Sequence, residues 1–271
     1  MEISVRKFAF LTLLALIPGA FTAAAPAQSG SFVVSQHGHA VGTASFNFTA
    51  ATNGYDSTSV VRIAMQGLNY ALSKTERLSA ANLLRHAQLS ATVNNTAVTV
   101  TAAPDAAQIL LTISANGHST TTRLAPHPIF LRDGDFFKQS GESGPRASQP
   151  AAVFLPDFDP GALETLLALA VARNNRGLWA IIPKKAGSIE PIQLATYADE
   201  QGTLNNKPIT VHHLVATIAG AATDLFSGPE NQLLQAELPQ QGFALVRKGF
   251  VLTPPAKPGA PPEPVSPSAK P

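Results

Sequence analysis

Cysteine is absent from this 271-residue chain. That excludes disulfides, thiol catalysis, thiolate metal sites and lipid attachment at an N-terminal cysteine. Charge is scarce as well: Asp, Glu, Lys and Arg make up 13% of the residues, and the formal net charge is +2. No stretch clusters Lys and Arg into a track for phosphates, so nucleic acid is not an expected partner. The pair Lys184-Lys185 lies in a Pro-Lys-Lys-Ala-Gly turn and reads as a solvated loop. No run of about twenty apolar residues is present, which leaves no stable membrane span.

Motifs for chemistry are missing too. The chain has no Gly-x-Ser-x-Gly and no Ser-x-x-Lys, no phosphate loop and no dinucleotide fingerprint. The near misses are Leu72-Ser73-Lys74 and Ser140-Gly141-Glu142-Ser143-Gly144, neither in the strand-turn-helix setting that strains a serine nucleophile into position. No catalytic residue, metal ligand or cofactor is assigned on this basis.

Several polar groups have two readings. His37-Gly38-His39 offers two imidazoles, but the central glycine favours a hairpin turn over a metal site. His212-His213 lies in an expected strand, where neighbours point to opposite faces and cannot chelate one ion. His213 shares a face with Ile209, Val211 and Val215, as a core or edge histidine would, and no partner for a general base is evident. Asp133-Gly134-Asp135 reads as a turn rather than a cation loop. In Asp157-Phe158-Asp159 the second acid reads as a helix cap.

What the chain does have begins at its start. Arg6 and Lys7 precede an apolar run at residues 8–17, and Ala25-Pro26-Ala27 supplies a small-x-small site. That order marks residues 1–27 as a signal peptide cleaved after Ala27, so the mature protein is expected to be periplasmic or extracellular. Without Glu2, Arg6 and Lys7, the 19 basic and 17 acidic residues fall to 17 and 16, a net charge of about +1. Residues 253–271 are rich in proline and hold no large apolar side chain to bury, which predicts a disordered tail.

Residues 28–252 alternate apolar and polar side chains, the signature of strands with one buried face. Val61, Ile63 and Met65 illustrate it. Hairpin turns are expected at His37-Gly38, Asn94-Asn95 and Asn116-Gly117. The count comes to about eleven strands in an antiparallel sheet. A Pro-, Gly- and Asp-rich stretch at residues 125–156 marks a long loop, or a division into two sub-sheets. One helix stands out: Asp159 as N-cap, Pro160 at the first position, and no breaker as far as Asn174. Leu163, Leu166, Leu167, Ala170 and Val171 line one side, and Thr165, Ala168, Leu169 and Ala172 the other. A helix this apolar all round is buried on more than one side or faces a cavity.

Three features carry a resemblance to a known family: the opening Gly30-Ser31-Phe32-Val33-Val34 across a hairpin from Val41-Gly42-Thr43, the late helix among antiparallel strands, and the closing Asn205-Asn206-Lys207-Pro208-Ile209-Thr210-Val211 to Ala236-Glu237-Leu238-Pro239. The chain looks like secreted bacterial proteins of unassigned role. More distantly it resembles the lipoprotein-localisation-factor superfamily. That resemblance implies an open antiparallel half-barrel over a buried helix, with a hydrophobic groove for acyl chains. It brings over no defined set of functional residues. The expected groove residues are Leu166, Leu167, Leu169 and Trp179, beside the strand faces. The expected function is an exported, non-enzymatic binding or carrier protein whose ligand is a lipid or other hydrophobic small molecule. A structural module of the cell envelope is the alternative, and a hydrolase with a spatially assembled site is the third reading.

Overall fold

The computed structural model describes residues 28–126, 149–184 and 186–254. Residues 1–27, expected to be a signal peptide, Asp133 and Asp135, the Ser140–Gly144 stretch and most of the proline-rich tail lie outside the described residues.

Eight strands form an antiparallel meander: β1 (Ser29–Gln36), β2 (His39–Ala51), β3 (Gly54–Met65), β4 (Leu68–Ser79), β5 (Leu84–Val93), β6 (Thr96–Asp105), β7 (Gln108–Ala115) and β8 (His118–Leu124). The second half holds β9 (Ala151–Phe154), α1 (Pro160–Ala172), β10 (Leu178–Ile182), β11 (Ser188–Thr196), β12 (Glu200–Leu204), β13 (Lys207–Ile218), β14 (Ala221–Ser227), β15 (Leu233–Leu238), β16 (Phe243–Arg247) and β17 (Phe250–Leu252). The turns expected from sequence are present. His37-Gly38, Asn94-Asn95, Asn116-Gly117 and Asn205-Asn206 all take positive φ at both central residues. That twist matches the flanking strands of a two-residue hairpin.

The two halves share one sheet. β1 pairs with β2 on one side and with β16 on the other, and β16 continues through β15, β14, β13, β11 and β10 to β9. β8 and β9 are the two ends, and no pairing among the described residues closes them into a barrel. β9 crosses back over β5, so the sheet curls around α1, which packs on β2, β3, β9 and β15.

Among the described residues the strand count is seventeen, not about eleven. β9 escapes the sequence reading because it is a four-residue apolar run inside the stretch 125–156 that reads as a loop. β12 is too polar to show a buried face. β14 follows an Ala219-Gly220 turn whose positive φ values (50° and 80°) no Asn or Asp announces. One further correction concerns direction: β9 and β10 are parallel, and α1 is the crossover between them. Parallel neighbours need such a connection, so this helix is built into the sheet rather than added to it.

The helix is as apolar as its sequence. Asp159 caps it, its Oδ1 accepting from the backbone N–H of Gly161 at 2.9 Å and of Ala162 at 3.3 Å. It ends at Ala172, two residues earlier than expected, because Asn174 and Asn175 take positive φ. Leu166 and Leu169 have no exposed surface although they belong to different sides, so the helix is buried on more than one side. Val171, expected in the buried stripe, is 61% exposed. A single main core runs from Phe32 through the helix leucines to Leu245. A second, smaller one (Val211, Phe226, Leu234, Phe250) lies where β12 and β17 cover the other face of the sheet.

Candidate functional site

The inner face of the sheet carries three polar or open features, set by how far α1 reaches across it. Under the helix N-terminus lies a buried ionic cluster. Alternation along β4 places Tyr70, Leu72, Lys74, Glu76 and Leu78 on the inner face. Register then sets Lys74 opposite Ser59 and Glu76 opposite Ser57. Lys74 Nζ lies 2.9 Å from Glu76 Oε2 and 2.7 Å from Asp159 Oδ2, and none of the three side chains reaches solvent. Burial alone would push the Lys74 ammonium down, but Asp159 and Glu76 outweigh it and raise it to about 12. Burial pushes the Glu76 carboxyl up, against the pull of Lys74. Ser57 Oγ, Ser59 Oγ and Glu76 Oε1 are buried without a hydrogen-bond partner among the described residues.

A lysine held this firmly in its charged form cannot take a proton from a neighbouring hydroxyl. The near-miss at Ser73-Lys74 fails on geometry too, since Ser73 points to solvent and Lys74 to the core. The cluster is a lock. Asp159 caps the helix with one oxygen and pairs with the sheet lysine through the other, which ties α1 to β4. Gly161 brings the helix close to β3: a Cβ there would overlap Ser59 Oγ and lie 3.1 Å from Phe46 Cβ. Glycine to alanine inside a helix ordinarily gains about 1 kcal/mol. Gly161→Ala is expected to cost about 1–2 kcal/mol instead, because the helix must lift from the strand. Urea unfolding of the two proteins checks the sign.

Beyond α1, the described residues cover this face only in part: Leu89 and Val100 are buried in the main core, while Ala91, Val93, Val98, Ile113 and Ala115 keep some exposure. There, β5, β6 and β7 present an apolar ladder in which Leu89 opposes Val100, Ala91 opposes Val98, and Val100 opposes Ile113. With Tyr70, Val93, Ala115, Pro156 and Pro183, these residues line a cleft of about 290 Å³. Two polar groups stand at it: Lys184 Nζ pairs with Asp157 Oδ1 at 2.8 Å, both roughly half exposed. An exposed pair of this kind is worth about 0–1 kcal/mol, so it opens readily. Phe158, between the cleft residue Asp157 and the capping Asp159, takes φ 57°. Its ring packs edge-on against Tyr70 and Phe243, at 6.2 and 4.8 Å. That contact offsets a backbone cost on the order of 1 kcal/mol.

A second cavity, about 220 Å³, lies on another side of α1. Glu164, Thr165, Ala168 and Val171 of the helix line it, with Gln28, Phe48, Tyr55, Asn82, Glu230 and Asn231. Glu164 is only 5% exposed. Its Oε2 accepts from the Leu233 N–H at 2.8 Å. Burial raises its pKa to about 7, against the opposing pull of that N–H and of Arg247.

The histidines are placed as their alternation requires. His212 Nδ1 meets Asp199 at 2.9 Å. His213, facing away from it, lies between Glu200 (Nδ1, 3.3 Å) and Asp224 (Nε2, 3.0 Å). Its ring is stacked between Tyr197 and Phe226. Partners absent from the local sequence thus exist in space, but both ring nitrogens are engaged, which leaves none to act as a base on a substrate. His37 sits in the hairpin turn, its N–H donating to the Gly242 carbonyl at 2.7 Å. Among the described residues no group of three or more His, Asp and Glu is arranged to hold a metal ion.

Of the expected groove residues, Leu166, Leu167 and Leu169 are at most 3% exposed and belong to the main core. Trp179 packs half-buried against that core. The two cavities above are lined by other residues. The signal for the cleft was present in the alternation of Leu89-Ala91-Val93, Val98-Val100 and Ile113-Ala115, but only the strand register joins these into one face. No protein-family model, curated protein or solved structure matches the chain. Among the described residues no helix is long and apolar enough to cross a membrane.

Proposed function

We propose that this chain is an exported, non-enzymatic carrier that takes an acyl chain or similar hydrophobic molecule into the cleft over β5–β7. The observation that carries the reading is the partly covered apolar ladder that lines the cleft. A sheet face of opposed Leu, Val, Ile and Ala is normally covered by another layer, and here, among the described residues, part of it borders a cleft. Concave, mostly apolar cavities with a few polar groups at the mouth are the usual form of small-molecule sites. Lys184 and Asp157 supply those groups. The wrapped sheet with a helix inside fits the half-barrel carriers that the sequence resembles, and export by the expected signal peptide would bring the mature protein to where such carriers work.

The test is direct titration with a fluorescent fatty acid. Saturable binding is expected, displaced by an unlabelled fatty acid. Ala91→Trp fills the cleft from β5 and is expected to weaken binding at least about tenfold, the loss of one or two buried methylenes' worth of contact. A flat titration with the wild-type protein would sink the proposal, as would equal affinity in Ala91→Trp. A flat result would favour the envelope-module reading, in which the interior serves only to hold the fold.

A further inference from the structure

The cavity at Glu164 is unlike the cleft, and its chemistry points to a different occupant. We propose that it is an ammonium site, in which a positively charged amine lies against Glu164, with Glu230 nearby and Phe48 and Tyr55 beside its carbon atoms.

The argument starts from Glu164. It is an acid inside an apolar helix, 5% exposed, and it borders a cavity of about 220 Å³. One carboxylate oxygen accepts from the Leu233 N–H. The other has no hydrogen bond among the described residues. Glu164 itself lines the cavity. The groups facing Glu164 from the elements around it are Tyr55 of β3, Glu230 before β15, the Leu233 amide and Arg247 of β16. Among the described residues Arg247 is the one cation acting on it, and its guanidinium donates to the carbonyls of Leu233 and Ser29, with no ion pair to Glu164. Among the described residues the lining holds two acids and no base. An anion would be repelled, and a neutral guest would leave a buried charge unpaired. A cation with N–H groups satisfies both the charge and the free oxygen, and aromatic faces favour a cation further.

Such an amine has two sources. One is a free alkylammonium. The other is the chain itself. Gln28 lines this cavity, and its carbonyl accepts from the Phe48 N–H at 2.7 Å. Cleavage after Ala27 would create an α-ammonium on Gln28, at the edge of the site. On that route, removal of the signal peptide supplies the charge that Glu164 lacks, and processing completes the fold. This inference rests on the cleavage position but not on the carrier reading, because the cleft is elsewhere.

The experiment compares two forms: one beginning at Gln28 with its free amine verified by mass, the other extended upstream by residues 23–27. Each is titrated with n-butylammonium at about pH 7.5, where Glu164 is mostly ionised and an α-amine keeps most of its charge, with 1-butanol and butyrate as controls. If the amine is free, both forms bind butylammonium and neither control. If the α-amine is the occupant, the extended form alone binds it, and the Gln28 form melts several degrees higher. In either case Glu164→Gln, which keeps an acceptor for Leu233, is expected to weaken binding roughly tenfold or more or to erase the melting difference. Ala168→Phe, which fills the cavity and keeps the carboxylate, is expected to do the same. The proposal is overturned if neither form binds butylammonium and the two melt alike, or if binding survives Glu164→Gln unchanged.

Discussion

Lys74→Met is expected to lower the free energy of unfolding by about 3–5 kcal/mol at neutral pH. The substitution keeps the length of the side chain and most of its packing. What it removes is the only cation within reach of Glu76 Oε2 and Asp159 Oδ2 among the described residues. Two carboxylates would then share a site closed to solvent, and one at least must take up a proton to remain there. The loss is therefore expected to shrink as pH falls towards 5, because the unpaired acids become neutral. Restoring neutrality by chemistry should work as well. Lys74→Met combined with Glu76→Leu and Asp159→Asn is expected to recover most of the loss, since asparagine still caps α1 and no charge remains buried. Chemical denaturation of the single and triple variants at two pH values checks both points. A penalty equal at pH 5 and pH 8 would show that lost packing, and not uncompensated charge, sets the cost.

Glu164→Gln is expected to act in the opposite direction. The carboxyl titrates at about 7 in the folded chain against an ordinary value of 4.5. The folded state therefore binds more protons between those values, and stability falls as pH rises through that window. Below 4.5 the group contributes nothing adverse. Above 7 the full cost of keeping a buried carboxylate ionised is present, about 3 kcal/mol from the shift. Glutamine accepts from the Leu233 N–H through its amide oxygen and carries no charge. The variant is expected to gain up to about 3 kcal/mol at pH 8 and nothing at pH 4. Melting temperatures across pH 4–8 measure it, and the slope of the wild-type curve should flatten in the variant. Burial raises Glu76 as well, so a residual slope of the same sign remains. An occupant that pairs with Glu164 would reduce the gain at pH 8, which makes the same curve a reading of occupancy.

The two acids show why function was harder to read than fold. Asp159 was legible as a cap because capping is local: the carboxylate reaches N–H groups two and three residues ahead. That the same residue would also hold a lysine of β4 is a long-range fact, and a single sequence carries no sign of it. A trace of the lock was nevertheless visible. In Tyr70-Leu72-Lys74-Glu76-Leu78 the period-two series passes through two charges, which places them on the buried face if the strand is read through without a break. Glu164 left a similar trace as the lone acid of an apolar helix. A charge that interrupts a buried pattern marks a place where the fold must provide a partner.

The strands missed by periodicity share a cause. β9 is buried all round beside α1 and β10, so it has no polar alternate residues to reveal it. β12 and β14 take part of their burial from β17 and the second core, which cover the outer face and blur the two-residue period. Periodicity reports burial on one side only, and these strands are covered on two or on neither.

Local chemistry is what the sequence settled alone. Alternation yielded the β-rich architecture and most of its hairpins, the Asn and Gly pairs their turns, and Asp159-Pro160 the start of the helix. The missing cysteines excluded every disulfide. Each of these depends on neighbours within a few residues, where backbone sterics and short hydrogen bonds decide the outcome. Tertiary structure decided the rest: which apolar faces α1 covers and which it leaves bare, that Lys74 and Asp159 meet, and that Glu164 looks into a cavity shared with Gln28. Those outcomes depend on register and on the curl of a sheet joined across β1 and β16. Residues far apart in the chain become neighbours only when that open sheet curls around its helix.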